Sequence, residues 1–223
     1  MINIKIFHDN IDFLGGGERL ILNLARNLSA DIYCYNLNPE LEKYIKKYNL
    51  KINAKKKLKK NNFLLKVYSF FYFLFLPLRY SSSKTIEIYS GNFSFLSSFF
   101  SKGKKIFYCH CPPKFIIYYP QIKKDYNLLS KLLIFIFKSI YIKSYKLFLK
   151  KSDFIIANSK FTKNRLKKFT SKNIKIINPP NTFNVNFDNS KIKYSSFFLS
   201  NARLDNAKNV FELVYAFEKI KEK

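Results

Sequence analysis

Short runs of strand-forming residues alternate with longer amphipathic segments along most of this chain. The run INIKIF at residues 2–7 favours a strand, and residues 18–28 form a stripe of leucine and isoleucine at helical spacing. Because strands that alternate with helices build a parallel sheet covered on both faces, we expect an α/β fold with a Rossmann-like, doubly wound parallel sheet. The same pattern predicts strands at residues 31–35, 86–89, 105–109, 153–157, 174–177 and 196–199, and helices at residues 39–48, 63–78, 93–100, 128–149, 160–169 and 208–221.

A linker-like stretch, NPPNTFNVNFDNS, interrupts this alternation after residue 177. We therefore expect an N-terminal α/β domain over residues 1–185. Residues 186–223 contain one further predicted strand and helix, which we interpret as the linker and the incomplete start of a second Rossmann-like domain. Residues 51–62 are rich in lysine and are predicted to form a loop.

Two segments bear on contact with a membrane. The apolar run at residues 63–78 contains Lys66 and Pro77 and is shorter than the ~20 residues of a spanning helix. The helix predicted at residues 128–149 is either a basic amphipathic helix on an anionic membrane or a surface helix that packs its apolar face on the sheet. Its lysines fall on one arc, opposite leucine, isoleucine, phenylalanine and tyrosine: Lys131, Lys138, Lys143, Lys146 and Lys150.

The N-terminus MINIKIFHDN has no apolar signal segment. We expect a cytoplasmic protein with peripheral contact at the inner face of the cell membrane.

Charge alone decides little about function. Lysine and arginine number 41 against 14 acidic residues, which gives a net charge of +27. Such a field attracts nucleic acid, anionic lipid or phosphorylated substrates. A coding bias towards A/T-rich codons would also produce this abundance of Lys, Asn, Ile, Phe and Tyr. Because no RNP-type, zinc-finger or helix-turn-helix signature accompanies the charge, we expect no nucleic-acid partner.

The first candidate site follows the first predicted strand. Gly15, Gly16 and Gly17 let the backbone approach a ligand closely, and Glu18 begins the predicted helix. The start of a helix offers free N–H groups and a partial positive charge, which suit a phosphate or a polar sugar. The alternative is a plain flexible turn.

The second candidate is the segment YCHCPPK, which follows another predicted strand. Cys109 and Cys111 would share one face of that strand, with His110 on the other. Because His8 is the only other histidine and Cys34 is isolated in the sequence, a four-ligand zinc site is hard to assemble and we expect no metal. His110 then faces a substrate, or is a hydrogen-bonded loop histidine.

The third candidate lies beside the last predicted helix. Arg203 follows a predicted strand, and Lys208 stands where the helix begins. Two cations at a helix N-terminus would bind a diphosphate. A solvated loop in a lysine-rich protein is the alternative.

Four segments, in this order, resemble glycosyltransferase family four, whose enzymes have the two-domain GT-B fold, and most closely its mannosyltransferases of surface-polysaccharide assembly. They are GGGERLILNLARNL, YCHCPPKFIIYY, DFIIANSKFTKNRLKKF with IINPPN, and FFLSNARLDNAKNVFELVYAFEKI. The resemblance implies transfer, with retention, of mannose or another hexose from a nucleotide sugar such as GDP-mannose to a glycan or lipid-linked acceptor. It implies no other cofactor.

The resemblance also implies roles for the matching residues. Gly15, Gly16, Gly17 and Glu18 would face the acceptor and the donor phosphates, and His110 would lie beside the transferred sugar. Arg203 and Lys208 would bind the donor diphosphate.

The family's Glu-x7-Glu carboxylate pair has no counterpart before Lys223, so we expect little or no activity from these 223 residues alone. The alternative function is a non-catalytic remnant or scaffold at a membrane surface.

Overall fold

The computed structural model describes residues 3–59, 63–76, 82–113, 128–180, 199–200, 202 and 209–221. Contacts divide the chain into a first unit, residues 1–182, and a second, residues 183–223. In the second unit the described regular element is one helix, Val210–Lys221.

The first unit alternates strands and helices. The strands are β1 Asn3–His8, β2 Asn10–Ile11, β3 Asp31–Leu37, β4 Ile52–Lys56, β5 Thr85–Ser90, β6 Lys104–Cys109, β7 Phe154–Ala157 and β8 Ile174–Ile176. The helices are α1 Gly16–Leu28, α2 Glu42–Lys47, α3 Phe63–Phe75, α4 Leu128–Lys151 and α5 Lys160–Leu166, with 3-10 helices at Pro39–Leu41 and Ser94–Phe100.

All the described strands join one parallel sheet in the order β2-β3-β1-β5-β6-β7-β8, and β4 also pairs with β3. This topology confirms the predicted doubly wound α/β fold. The strand predicted at residues 196–199 lies mostly outside the described residues.

The predicted loop at residues 51–62 is wrong, because β4 lies within it. Half-buried Ile52 and Ala54 alternate with exposed Asn53 and Lys55, as in a strand with one covered face. Among the described strands β4 pairs only with β3, so it forms an edge of the sheet. Lysines on an edge strand discourage pairing with another chain, which explains a strand of this composition.

Both faces of the sheet are covered by packed side chains. Neighbouring residues of one strand contribute to opposite faces, because their side chains point to opposite sides. In β1, Ile6 packs in the cluster formed with α1 and α2. Phe7 packs in the opposite, largely aromatic cluster, which includes side chains from α3, α4 and the 3-10 helix Ser94–Phe100. In that cluster the Phe148 ring of α4 lies 5.1 Å from Phe107 and 5.3 Å from Phe95, between ring centroids. Fully burying one such side chain contributes about 2 kcal/mol.

Helix α4 packs on the sheet through one apolar stripe. Tyr141, Tyr145, Phe148 and Leu149 are buried, at the spacing of one helical face. The helix therefore covers the sheet, as one of the two sequence interpretations expected.

The end of β1 is fastened to the turn after β5 by one carboxylate. Asp9 accepts hydrogen bonds from the backbone N–H groups of Asn92 at 2.5 Å, Phe93 at 2.9 Å and Ser94 at 2.8 Å. Burial raises the pKa of the Asp9 carboxyl, and the three amide donors oppose that rise by favouring the charged form. The turn approaches so closely because Gly91 has φ +142°, and a Cβ there would lie 2.4 Å from an Asp9 carboxylate oxygen.

We predict that Gly91→Ala lowers the free energy of unfolding by about 1–3 kcal/mol, because the side chain would adopt a strained φ and collide with Asp9. Gly16→Ala is the control, since nothing lies within 4 Å of a Cβ at that position. Urea unfolding followed by circular dichroism measures both. Equal stability of the two variants would contradict the role given to Gly91.

Candidate functional site

A cleft of about 610 Å³ opens where β1, β5 and β6 end, beside the start of α1. This is the edge at which parallel α/β sheets bind ligands. Its lining includes His8, Asp9, Gly17, Glu18, Asn92 and His110.

Gly17 and His110 meet in this cleft although they lie far apart in sequence. A Cβ built on Gly17 would be 3.7 Å from Cε1 and 3.8 Å from both ring nitrogens of His110, so the backbone lies over the face of the imidazole. Of the predicted glycine-rich loop, Gly17 and Glu18 line the cleft. A Cβ on Gly16 would meet open space, and one on Gly15 would lie 2.5 Å from Phe13 and 2.6 Å from Glu18.

The start of α1 is fixed by the backbone around the glycines. Gly15 is the N-cap in an extended conformation, and its carbonyl accepts the N–H of Arg19 at 2.9 Å. The Arg19 side chain donates from Nε to the carbonyl of Leu14 at 3.1 Å. The N–H groups of the first turn have no carbonyl partner within the helix, so their partial positive charge remains at this end.

His110 is held at three points. Its Nε2 lies 2.8 Å from the hydroxyl of Ser90, and its carbonyl accepts the hydroxyl of Thr162 at 3.2 Å. Its ring centroid lies 5.2 Å from that of Tyr108. The ring is therefore positioned by Ser90 at the end of β5 and by Tyr108 of β6, while α5 holds the backbone of His110.

His8, at the end of β1, contacts the same serine. Its Nδ1 donates to the carbonyl of Ser90 at 2.6 Å, and its ring centroid lies 6.3 Å from that of His110. The two histidines of the chain thus lie in one cleft, on either side of Ser90.

Both histidines are neutral near pH 7. Burial lowers the pKa of His8 to about 4. Burial, together with the repulsion that a charge on His8 would exert, lowers the pKa of His110 to about 4. The rings can therefore donate or accept hydrogen bonds, but they do not bring positive charge to the cleft.

The two buried cysteines, Cys34 and Cys109, are poorly suited to attack or to metal binding. Burial raises the pKa of the Cys109 thiol and of the Cys34 thiol, which disfavours the thiolate needed for attack or for metal binding. Within the described part of the chain, no three His, Cys, Asp or Glu side chains are grouped so as to hold a metal ion.

Sequence reasoning missed three residues of this site: His8, Asp9 and Ser90. Each lies at the end of β1 or β5 or directly after it. This position at the carboxyl end of a predicted strand is the sequence signal that could have identified them. Arg203 and Lys208, the predicted diphosphate ligands, lie outside the described residues.

A second groove, of about 440 Å³, lies along β6, β7 and β8. Its floor is largely apolar and includes Ile106, Ile156 and Ile177. It contains neither histidine nor a glycine-rich loop, so the cleft beside α1 is the stronger candidate for chemistry.

No protein-family model and no curated protein matches this chain. Among solved structures it is similar to Anabaena HepE in complex with UDP, with 11% identity and a TM-score of 0.48, and to the same protein with UDP and glucose, with 11% identity and a TM-score of 0.49. Each alignment covers 79% of this chain and 44% of HepE. It is also similar to the glycotransferase of kitacinnamycin, with 10% identity, a TM-score of 0.40 and coverage of 78% and 51%. The chain thus spans about half the length of these structures.

We predict that the two histidines lower the free energy of unfolding as the pH falls from about 6.5 to about 4, whereas Asp9, whose folded pKa is raised, acts in the opposite direction. The unfolded chain takes up protons at His8 and His110 before the folded chain does, because both folded pKa values lie below the usual 6.5. The histidine contribution to the free energy of unfolding therefore falls as the pH falls through this window, and His8 contributes on the order of 3 kcal/mol.

Urea unfolding at a series of pH values measures this slope. His8→Asn keeps a donor for the Ser90 carbonyl but removes the titration, so its slope should be shallower. The same slope in the wild-type chain and the variant would contradict the low pKa of His8.

Proposed function

We propose that this cleft is the acceptor-side part of the active site of a nucleotide-sugar-dependent glycosyltransferase. The proposed reaction transfers mannose or another hexose, with retention, to a glycan or lipid-linked acceptor. The observation that carries the proposal is the meeting of Gly17 and His110, from two motifs that resemble family four, in one cleft at the carboxyl edge of the sheet.

The electrostatics of the cleft suit hydroxyl groups better than phosphate. Its described lining contains Asp9, Asp12 and Glu18 and no lysine or arginine. His110 and His8 are neutral, so they are suited to hydrogen bonds with sugar hydroxyls. The N–H groups at the start of α1 supply the partial positive charge of this region.

Breaking a sugar–diphosphate bond leaves negative charge on the diphosphate, and fixed positive groups aimed at that charge lower the barrier. One such contact contributes roughly 3 kcal/mol. We assign this role to Arg203 and Lys208, on the resemblance of their segment to family four, and the proposal needs no metal. Because the chain spans about half the length of the structures it resembles, the activity of a whole enzyme is part of the proposal.

We predict that Gly17→Ala weakens sugar-nucleotide binding by this chain roughly tenfold, or about 1.4 kcal/mol. The added methyl would fill the space against the His110 ring, while alanine favours the helix by up to about 1 kcal/mol over glycine. In an enzyme that also carries the Glu-x7-Glu pair, His110→Ala should lower turnover about 100-fold. Calorimetric titration with UDP-glucose and GDP-mannose measures binding, and release of the nucleoside diphosphate measures turnover.

Asn27→Ala is the control, because Asn27 is exposed near the other end of α1 and its side chain contacts only the carbonyl of Asn23 among the described residues. A stable Gly17→Ala chain that binds as well as the wild type would contradict the placement of the site. Binding decides the proposal, because little or no turnover is expected from these 223 residues alone. Absence of binding of both sugar nucleotides by the wild-type chain would contradict the proposed function.

A second proposal, peripheral contact with an anionic membrane, rests on one surface. Helices α3 and α4 meet at Phe70 and Phe137, whose ring centroids are 5.7 Å apart. Around this contact, large apolar side chains are exposed: Tyr68, Phe71, Phe75, Phe135, Ile136 and Ile140. We call these six residues the aromatic surface.

Exposed lysines continue from the aromatic surface along α4. Lys143, Lys146 and Lys150 are exposed on the same helix whose other face packs on the sheet. Apolar side chains beside lysines favour adsorption to anionic lipid. No helix among the described residues is long and apolar enough to cross a membrane. Contact with a membrane would bring the cleft close to a lipid-linked acceptor. The same contact is expected of a non-catalytic protein at a membrane surface.

We predict that the chain binds vesicles of phosphatidylglycerol more tightly than vesicles of phosphatidylcholine, and that salt reduces the difference. Phe71→Ser with Ile140→Ser should weaken binding roughly 30-fold, at about 1 kcal/mol each. Phe154→Ser is the matched control, because Phe154 is 60% exposed on β7, compared with 52% for Phe71 and 58% for Ile140. Co-sedimentation measures all three chains, and equal loss in the control would rule out the aromatic surface as the binding site.

A further inference from the structure

The proton of the His8 ring can be placed from its partner. A carbonyl oxygen only accepts hydrogen bonds, so the 2.6 Å contact with the carbonyl of Ser90 requires a proton on Nδ1 of His8. With the ring neutral, its Nε2 carries a lone pair and no proton. Among the described residues Nε2 has no hydrogen-bond partner, and it is not one of the buried unpartnered atoms. His8 therefore offers an acceptor to the cleft.

The proton of His110 follows from the serine between the two rings. The Ser90 side chain is fully buried, and within the described part of the chain its hydroxyl bonds only to Nε2 of His110, at 2.8 Å. If Nε2 donated to Ser90, the hydroxyl proton would be buried without an acceptor, which costs about 1–3 kcal/mol. The hydroxyl instead donates to Nε2, and the neutral His110 ring carries its proton on Nδ1. His110 therefore offers a donor to the cleft.

We propose that Ser90 is a positioning residue that gives the two histidines opposite roles, with His8 as acceptor and His110 as donor, and that the pair binds hydroxyl groups of a sugar. The ring centroids are 6.3 Å apart. Two hydroxyl oxygens on neighbouring carbons, each at a hydrogen-bond distance of about 2.8 Å from one ring, can span a separation of this size. The assignment of a sugar as the ligand rests on the proposed function, whereas the placement of the protons does not.

Nitrogen-15 NMR of the two histidine rings tests the proton placement. The chain contains only two histidines, so the variants His8→Asn and His110→Asn assign every ring signal. At neutral pH, without ligand, both rings should be in the Nδ1–H form. A wild-type His110 in the Nε2–H form would overturn the proposal, and so would a positively charged ring at either position.

Substitution of Ser90 separates the two histidines. Ser90→Ala keeps the backbone carbonyl that holds His8 but removes the hydroxyl that holds His110. We expect His8 to remain in the Nδ1–H form, His110 to shift towards Nε2–H, and Ser90→Thr to restore the wild-type spectrum. Ser97→Ala, a fully buried serine whose hydroxyl bonds to the carbonyl of Ser94, should change neither ring.

An unchanged His110 signal in a folded Ser90→Ala chain would overturn the role of Ser90. If that variant does not fold, the wild-type spectrum alone decides the placement of the protons.

Titration with methyl α-mannopyranoside, which carries no phosphate, tests the ligand. Saturable changes at Nε2 of His8 and Nδ1 of His110, with the same dissociation constant, support a hydroxyl-binding pair. No change at either nitrogen, or a change at only one, would overturn it. This probe requires neither a nucleotide nor turnover, so it separates the two proposals. The chain can bind sugar nucleotides without binding the methyl mannoside at the two histidines, and it can bind the methyl mannoside without binding sugar nucleotides.

Discussion

The hydrogen bonds of one carboxylate determine where the parts of the cleft lie. Asp9 interrupts the run from β1 to β2 and accepts three consecutive backbone N–H groups from the turn after β5. That turn begins immediately after Ser90, which contacts both histidines. Charge-assisted bonds of this kind are about twice as strong as neutral ones, and three of them hold the ends of β1 and β5 in one arrangement. The hydrogen bonds of the site are thus fixed before any ligand arrives.

Charge is distributed unevenly in this molecule. The chain has a net charge of +27, yet the described lining of the cleft contains carboxylates and neutral imidazoles and no lysine or arginine. A cleft of that kind orients uncharged, hydroxyl-rich groups well and neutralises a diphosphate poorly. This contrast is the reason for the two roles proposed above. The cleft is proposed to bind sugar hydroxyls, and the charge of the diphosphate is proposed to be neutralised by groups outside its described lining.

The sequence was most informative about features that depend on residues close together in the chain. The period of apolar residues predicted the parallel sheet, and the glycine run and His110 could be placed at strand ends from local pattern alone. The contacts of His8 with Ser90 and of Asp9 with the turn after β5 join residues 82 to 85 positions apart, and they arise from the placement of β5 beside β1. Apolar periodicity identifies strands but not which strands are neighbours, so Ser90 could not be recognised as the residue between two histidines. Strand β4 was missed because the lysines that protect an edge also make it look like a loop.

Ion pairs contribute little to holding this fold together. The ion pairs of Lys57 with Glu42 and of Lys59 with Glu40 are exposed to solvent, where screening by water weakens the attraction between the charges. The chain has 41 basic and 14 acidic residues, and the mutual repulsion of this excess of positive charge opposes folding. The aromatic cluster around Phe95, Phe107 and Phe148 supplies apolar burial that offsets this repulsion. An external anionic surface would also relieve the repulsion. Helix α4 has exposed lysines on one side, and its buried stripe on the other side is part of the aromatic cluster. Electrostatic self-repulsion and the exposed aromatic surface therefore favour the same kind of partner, an anionic lipid surface.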